Sequence, residues 1–257
     1  MSRIKDITDY LDTICPPETA EAWDNPGLQT GKRDQKVTSA VLSLDVTSSA
    51  IRQCIDTGSN LLITHHPLIF GGADTVSEED TNGRLLSLLI KNNITYYAAH
   101  TNLDKASEYS NFVLARKLGA VPDSIREING VDYGAYYELP SEITLGEYMK
   151  TIREALNSSG TISINNPDNT LRRVFVQGGS FEEEHIPAVI ESGADVVVSG
   201  EIKHHVTVLL AHEGILSIIA GHNATERVFM ENLKGVLEAK FPDVTFYYEE
   251  GYEKTLF

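Results

Sequence analysis

Two stretches of the chain share one design. DTGSNLLITHH (56–66) and ESGADVVVSGE (191–201) align in register, so that Gly58 falls on Gly193, His65 on Gly200 and His66 on Glu201. The strands that follow align as well, ITYYAAHTNLD (94–104) against LSIIAGHNATE (216–226), and each ends in a histidine with an acid four residues later. The pattern fits a degenerate internal duplication, or two βαβ units of independent origin. Under either reading, four apolar strands end in HH, H-x-x-x-D, GE and H-x-x-x-E.

Around these anchors strands and helices alternate, which predicts an α/β sheet. AVLSLDV (40–46) reads as a buried strand, SSAIRQCIDTG (48–58) as a helix closed by Gly58, and NLLIT (60–64) as a strand. Residues 85–93 read as helix, 94–99 as strand and 106–119 as helix. The texture changes after Ala120, with an aromatic strand-like VDYGAYYELP leading into the helix LGEYMKTIREALNSS. RRVFVQGGS, ADVVVSGE, LSIIAG and VTFYYEE then read as strands separated by helices, the last of them long, TERVFMENLKGVLEAKF. The expectation is two similar, pseudo-duplicated α/β lobes. They divide as 1–122 and 123–257, with ends free to exchange between them.

Composition narrows the partners. With 41% hydrophobic and 23% charged residues, this is a globular and not a disordered chain. Its net charge of −16 argues against a surface that holds nucleic acid or anionic lipid by neutralising phosphates. An anionic substrate would need a local cationic trap, which a divalent metal supplies. Two cysteines, Cys15 and Cys54, give neither a disulfide framework nor a thiolate metal motif, and a reducing cytoplasm is the expected setting. Ile4, Ile7, Leu11 and Ile14 mark an acidic amphipathic helix where a signal peptide would be apolar, and no stretch approaches the ~20 apolar residues of a membrane span.

In open α/β sheets ligands gather beyond the carboxyl ends of the strands, which puts the four polar endings on functional edges. Imidazole and carboxylate are ligands for Zn, Mn, Fe and Ni, and a carboxylate can bridge two ions. His65, His66, Asp104, His222 and Glu226 would give two divalent ions three protein contacts each, with Glu226 shared. Open positions on such ions hold water, lower its pKa and polarise the group it attacks, so hydrolysis is the natural reaction class. Ser43, Ser180 and Ser199 lack a nucleophile-elbow motif.

Other polar residues carry blander readings. His204 and His205 suit packing or an outer contact, and His185 and His212 suit ordinary helix positions. QGGS (177–180) resembles a phosphate cradle, but Glu182, Glu183 and Glu184 already load that helix start with negative charge. GGADTVSEEDTNG (71–83) reads as a lid or a solvated loop.

Taken together, WDNPGLQTG (23–31), LDVT (44–47), LLITHHPLIF (61–70), YAAHTNLD (97–104), SGEIKHH (199–205) and AGHNATE (220–226) resemble the NIF-three-like family, also labelled GTP cyclohydrolase 1 type 2 homologues. The resemblance runs through nearly the whole chain. It implies two α/β lobes around a dinuclear metal centre and a toroidal homohexamer built from dimers. By motif position it implies the same five ligands, with His66 and Asp104 on one ion, His65 and His222 on the other, and Glu226 bridging. It places His100 near the site and not among the ligands. The activity it implies is metal-dependent opening of a purine imidazole ring in a nucleotide or other small molecule, with Glu226 positioning and His100 or Glu201 moving protons. A regulator, metal carrier or interaction scaffold without turnover is the alternative.

Overall fold

The computed structural model describes residues 1–72, 75–158 and 160–251. Its elements run α1 (Ile4–Ile14), β1 (Gly27–Thr30), β2 (Ser39–Ser43), α2 (Ser48–Thr57), β3 (Leu61–Thr64), α3 (Thr81–Lys91), β4 (Thr95–Ala98) and α4 (Thr101–Lys105). There follow α5 (Asn111–Lys117), β5 (Ala135–Thr144), α6 (Leu145–Leu156), β6 (Thr170–Ser180), α7 (Ile186–Ser192) and β7 (Val196–Glu201). The chain continues through α8 (His204–His212), β8 (Leu216–Ile219), α9 (His222–Lys240) and β9 (Thr245–Glu249). The result is mixed α/β with two sheets.

Packing divides the chain into two units, Met1–Ala106 with Met230–Gly251, and Ser107–Phe229. The first holds the sheet β1-β4-β3-β2-β9, in which β4, β3, β2 and β9 are parallel and β1 runs antiparallel on β4. Val41, Ile51, Leu62, Leu89 and Tyr96 belong to one buried cluster on this sheet. Helix α2 starts where the Thr47 hydroxyl accepts from the Ala50 N–H and stops at Gly58, whose φ of 67° is left-handed. This punctuation delivers the chain directly into β3.

The second unit holds the sheet β5-β6-β7-β8, with β6, β7 and β8 parallel and β5 antiparallel. Phe175, Val189, Val197, Val206 and Leu210 form its core cluster. A capping box of Thr144 and Glu147 starts α6, and Gly193 ends α7 at φ 73°. Gly58 and Gly193, matched in the sequence register, therefore do the same job.

Three features depart from the sequence-based outline. GLQT forms an edge strand pairing Gly27 with Ala98, although four residues lack the alternation that signals a strand. The expected helix over 106–119 breaks into a single turn at Ser107–Tyr109 and the shorter α5. Residues 107–122, grouped above with the first lobe, lie in the second unit, where α5 packs on β5 and β6, while β9 returns to the first sheet beside β2. Of the polar stretch 71–83, residues 73 and 74 lie outside the described residues, and its end starts α3, with the Asp80 carboxylate accepting from the Gly83 N–H at 2.7 Å. No helix among the described residues is long and apolar enough to cross a membrane.

Candidate metal centre

The tandem histidines follow β3, where regular strand geometry would send them to opposite faces. Backbone contacts hold the extension first: the His65 N–H reaches the Ser43 carbonyl at 3.3 Å and the His66 N–H reaches the Leu44 carbonyl at 3.0 Å. The His66 carbonyl is then caught by hydroxyls, accepting from Thr64 at 2.7 Å and from Tyr96 at 3.1 Å. Tyr96 also accepts from the Leu68 N–H at 2.9 Å, so a fully buried phenol pins the turn beyond Pro67. The chain leaves the strand path there, and the two rings lie with centroids 5.1 Å apart on one side of it.

His100 reaches the same place from the end of the neighbouring β4. Its ring centroid lies 5.2 Å from that of His65 and 5.5 Å from that of His66. Asp104, on α4, brings Oδ1 to 3.6 Å from His65 Nε2. His65 and Asp104 are both buried.

Each imidazole is anchored through Nδ1. His65 Nδ1 lies 2.8 Å from the Ala99 carbonyl, His66 Nδ1 2.7 Å from Asp45 Oδ1, and His100 Nδ1 2.9 Å from Asp24 Oδ1. A carbonyl only accepts, so His65 carries its proton on Nδ1 and its lone pair on Nε2, and ionised carboxylates set the same tautomer on the other two. Burial pushes the Asp24 carboxyl up, but hydrogen bonds from His100, Thr101 and the Asn25 N–H outweigh it and hold Asp24 at about 2. Burial lowers His100 below the ordinary imidazole value, aided by its two histidine neighbours and opposed by Asp24. One ring nitrogen from each histidine falls within 4.8 Å of the other two. Three converging imidazoles, each anchored through Nδ1, and a buried carboxylate are a donor set that fits a divalent transition metal.

The second unit carries its own cluster. His222 opens α9, and its Nε2 stands 2.9 Å from Oε2 of Glu226, one helical turn on. Its Nδ1 lies 3.6 Å from Oε2 of Glu201, the last residue of β7. Glycines make this packing feasible. A Cβ on Gly179 would overlap Glu226 Oε1, one on Gly178 would overlap the Phe229 ring, and one on Gly200 would fall 2.6 Å from the Gly179 carbonyl oxygen and 2.7 Å from His222 Cα. The GG of QGGS thus makes room for α9, and its Gly179 N–H donates to Thr225 Oγ1 at 3.1 Å.

The side chains of the remaining candidates are engaged elsewhere. His205 pairs with Glu183 at 2.8 Å on the surface, and His185 is buried with Nδ1 3.0 Å from Gln177 Oε1. Ser43 donates to Glu249 at 3.0 Å and Ser199 to the Gly179 carbonyl at 3.1 Å. Burial pushes both cysteine thiols up to about 12, which leaves them protonated and inert. Asp24 and Asp45 are the functional residues that sequence reasoning passed over; both lie in quoted motifs, WDNPGLQTG and LDVT, but nothing local marks them as partners of distant histidines.

The model of the family described as Duf34/NIF3 (NGG1p interacting factor 3) matches residues 2–251. The chain belongs to this family. Among its relatives, a "GTP cyclohydrolase 1 type 2 homolog" of Streptomyces coelicolor is 32% identical over 237 residues, covering 88% of this chain and 82% of its own. Another of that name, from Clostridium perfringens, is 29% identical with 95% of each chain covered. A solved Staphylococcus aureus protein, SA1388, superposes with a TM-score of 0.90 at 27% identity over 99% of both chains. A Bacillus cereus protein related to NIF3 shares the fold, with a TM-score of 0.87 at 20% identity. In this Duf34/NIF3 chain, the strand-end residues chosen from the sequence assemble as His65, His66, His100 and Asp104 in one unit, and as Glu201, His222 and Glu226 in the other.

Proposed function

We propose that the protein is a metal-dependent hydrolase of the GTP cyclohydrolase 1 type 2 kind, opening the imidazole ring of a purine nucleotide. The observation that supports it most is the shared Nδ1 anchoring of His65, His66 and His100, which leaves the Nε2 atoms of three neighbouring rings as the donors on offer at the ends of β3 and β4. The names of the relatives supply the substrate class. The residues that would hold metal in this reading are His65, His66, Asp104, His222 and Glu226, enough for two divalent ions of Zn, Mn, Fe or Ni. The family resemblance takes the two α/β units as pseudo-duplicated lobes around that dinuclear centre, and the assembly as a toroidal homohexamer.

Bound divalent ions supply Lewis acidity and lower the pKa of water. Opening an imidazole ring adds water to the carbon between two ring nitrogens, so one proton must leave the water and one must reach the departing nitrogen. His100, neutral with its lone pair on Nε2, suits the first task. The proton that His100 takes can then be returned to the departing nitrogen, and Glu201, beside His222, is the second group suited to carry it there. Glu226 is buried near the start of α9, with Oε2 2.9 Å from His222 Nε2.

Elemental analysis of freshly purified protein tests the centre first, with two equivalents per chain expected. Chelation followed by reloading with Zn, Mn or Fe, and an assay of GTP consumption against Glu226→Gln, then tests the chemistry. Turnover that ignores both treatments would overturn the hydrolase reading. Metal transfer to an acceptor protein without turnover would replace it with a carrier function.

A further inference from the structure

The only exposed tryptophan and phenylalanine side chains among the described residues stand on the same histidine. Trp23 is 58% exposed and Phe70 52% exposed, and their ring centroids lie 5.8 and 5.9 Å from that of His100, at interplanar angles of 72° and 81°. One exposed aromatic is unremarkable, since folded surfaces are largely apolar. Two that converge on one imidazole are a different matter, because each leaves about half of a large aromatic side chain in water.

The backbone beneath them is tied down. Beside Trp23, the Asp24 carboxylate accepts from His100, from the Thr101 N–H at 3.1 Å and from the Thr101 hydroxyl at 2.5 Å. The Asn25 amide donates to the Ile69 carbonyl at 2.8 Å, linking the Trp23 segment to the residue before Phe70. Phe70 also walls a cleft of about 360 Å³ with Leu68, Ile69 and Leu86, a volume within the range of small-molecule sites. The two backbone segments that carry the rings are therefore linked to each other and to the His100 segment.

We infer that Trp23 and Phe70 form a stacking subsite, beside His100, for the planar heteroaromatic base of the substrate. The assignment rests on the hydrolase reading for the identity of the base, and names where the ring is recognised. Stacking on aromatic faces tolerates many bases, so the subsite selects for a planar ring and not for one particular base.

Trp23 is the only tryptophan in the chain, so its emission reports on this subsite alone. Chelator-treated protein is titrated with GMP, exciting at the red edge of the indole band and correcting for GMP absorbance, with ribose 5-phosphate as the ring-free control. Saturable quenching by GMP and none by ribose 5-phosphate is expected. Phe70→Ala and Phe70→Leu should each weaken GMP binding by about tenfold or more, and Phe70→Tyr should retain it. Absence of saturable quenching, an unchanged affinity in Phe70→Ala, or equal quenching by ribose 5-phosphate overturns the assignment. The two readings fail separately. GMP binding without metal-dependent turnover retires the hydrolase and leaves the subsite, whereas turnover with an unchanged KM in Phe70→Ala retires the subsite and leaves the hydrolase.

Discussion

Asp45 fixes what His66 can do. Its carboxylate holds Nδ1 at 2.7 Å, so the imidazole keeps its proton on that side and offers Nε2 to a metal. An asparagine there loses the charge and can present its amide N–H₂ instead of an oxygen, which would favour the opposite tautomer. Asp45→Asn should therefore weaken metal binding roughly 10–100-fold, by competition with a calibrated chelator, while the melting temperature of the metal-free protein stays within about 2 °C. An unchanged affinity would show that the anchor is dispensable. The histidines were legible in the sequence because each follows an apolar strand, and strand ends in α/β sheets face ligands. Asp45 and Asp24 were not, because they act on residues 21 and 76 positions away, and only strand pairing brings those segments together, parallel β2 on β3 for Asp45 and antiparallel β1 on β4 for Asp24.

Among the elements, α9 depends on glycines it does not contain. Gly200→Ala would put a methyl against the Gly179 carbonyl and the His222 backbone, neither of which has a rotamer to yield, and should cost about 1–3 kcal/mol or more in denaturant unfolding. Gly235, exposed within α9 with nothing within 4 Å of its would-be Cβ, is the counter-case. Gly235→Ala should stabilise by roughly 0.5–1 kcal/mol, so the opposite signs would tie the cost at Gly200 to crowding. A second contact at the element scale gives a pH dependence. Asp195, entering β7, accepts from the Arg172 and Arg173 N–H groups of β6 and from the Arg173 guanidinium. Burial works against the charge, but these bonds outweigh it and hold the carboxyl below its ordinary value. A depressed carboxyl contributes stability that is complete above the unfolded value near 3.9 and disappears as pH falls through the folded one. The melting-temperature gap between wild type and Asp195→Asn should be widest above about pH 5 and close as acid is added. A gap that is flat across this range would assign the effect to packing. Helix stops such as Gly58 and Gly193 were readable here from glycine alone, whereas β1 is defined by its pairing to β4 and not by any pattern of its own.

At the scale of the whole molecule, the sequence conveyed the alternation of strands and helices but not the grouping of the chain, because β9 joins the first sheet by pairing with β2, some 200 residues earlier in the chain. The global charge supplies the last prediction. A chain of net charge −16 that also buries Asp104 and Glu226 carries electrostatic self-repulsion, which a bound cation relieves where the acids are densest. Ions that bind the folded chain and not the unfolded one stabilise it by RT ln(1 + [L]/Kd), about 2.7 kcal/mol at a hundredfold excess over Kd. For a chain of this length that corresponds to a rise of roughly 5–10 °C in melting temperature. Reloading chelated protein with Zn or Mn should produce such a rise. Mg should produce far less, because it prefers oxygen donors and water to imidazole. The rise should shrink in Glu226→Gln and in His66→Ala, whose metal-free forms should melt close to metal-free wild type. Equal stabilisation by Mg and Zn would mean that the acids are being screened diffusely and that the imidazoles hold no ion.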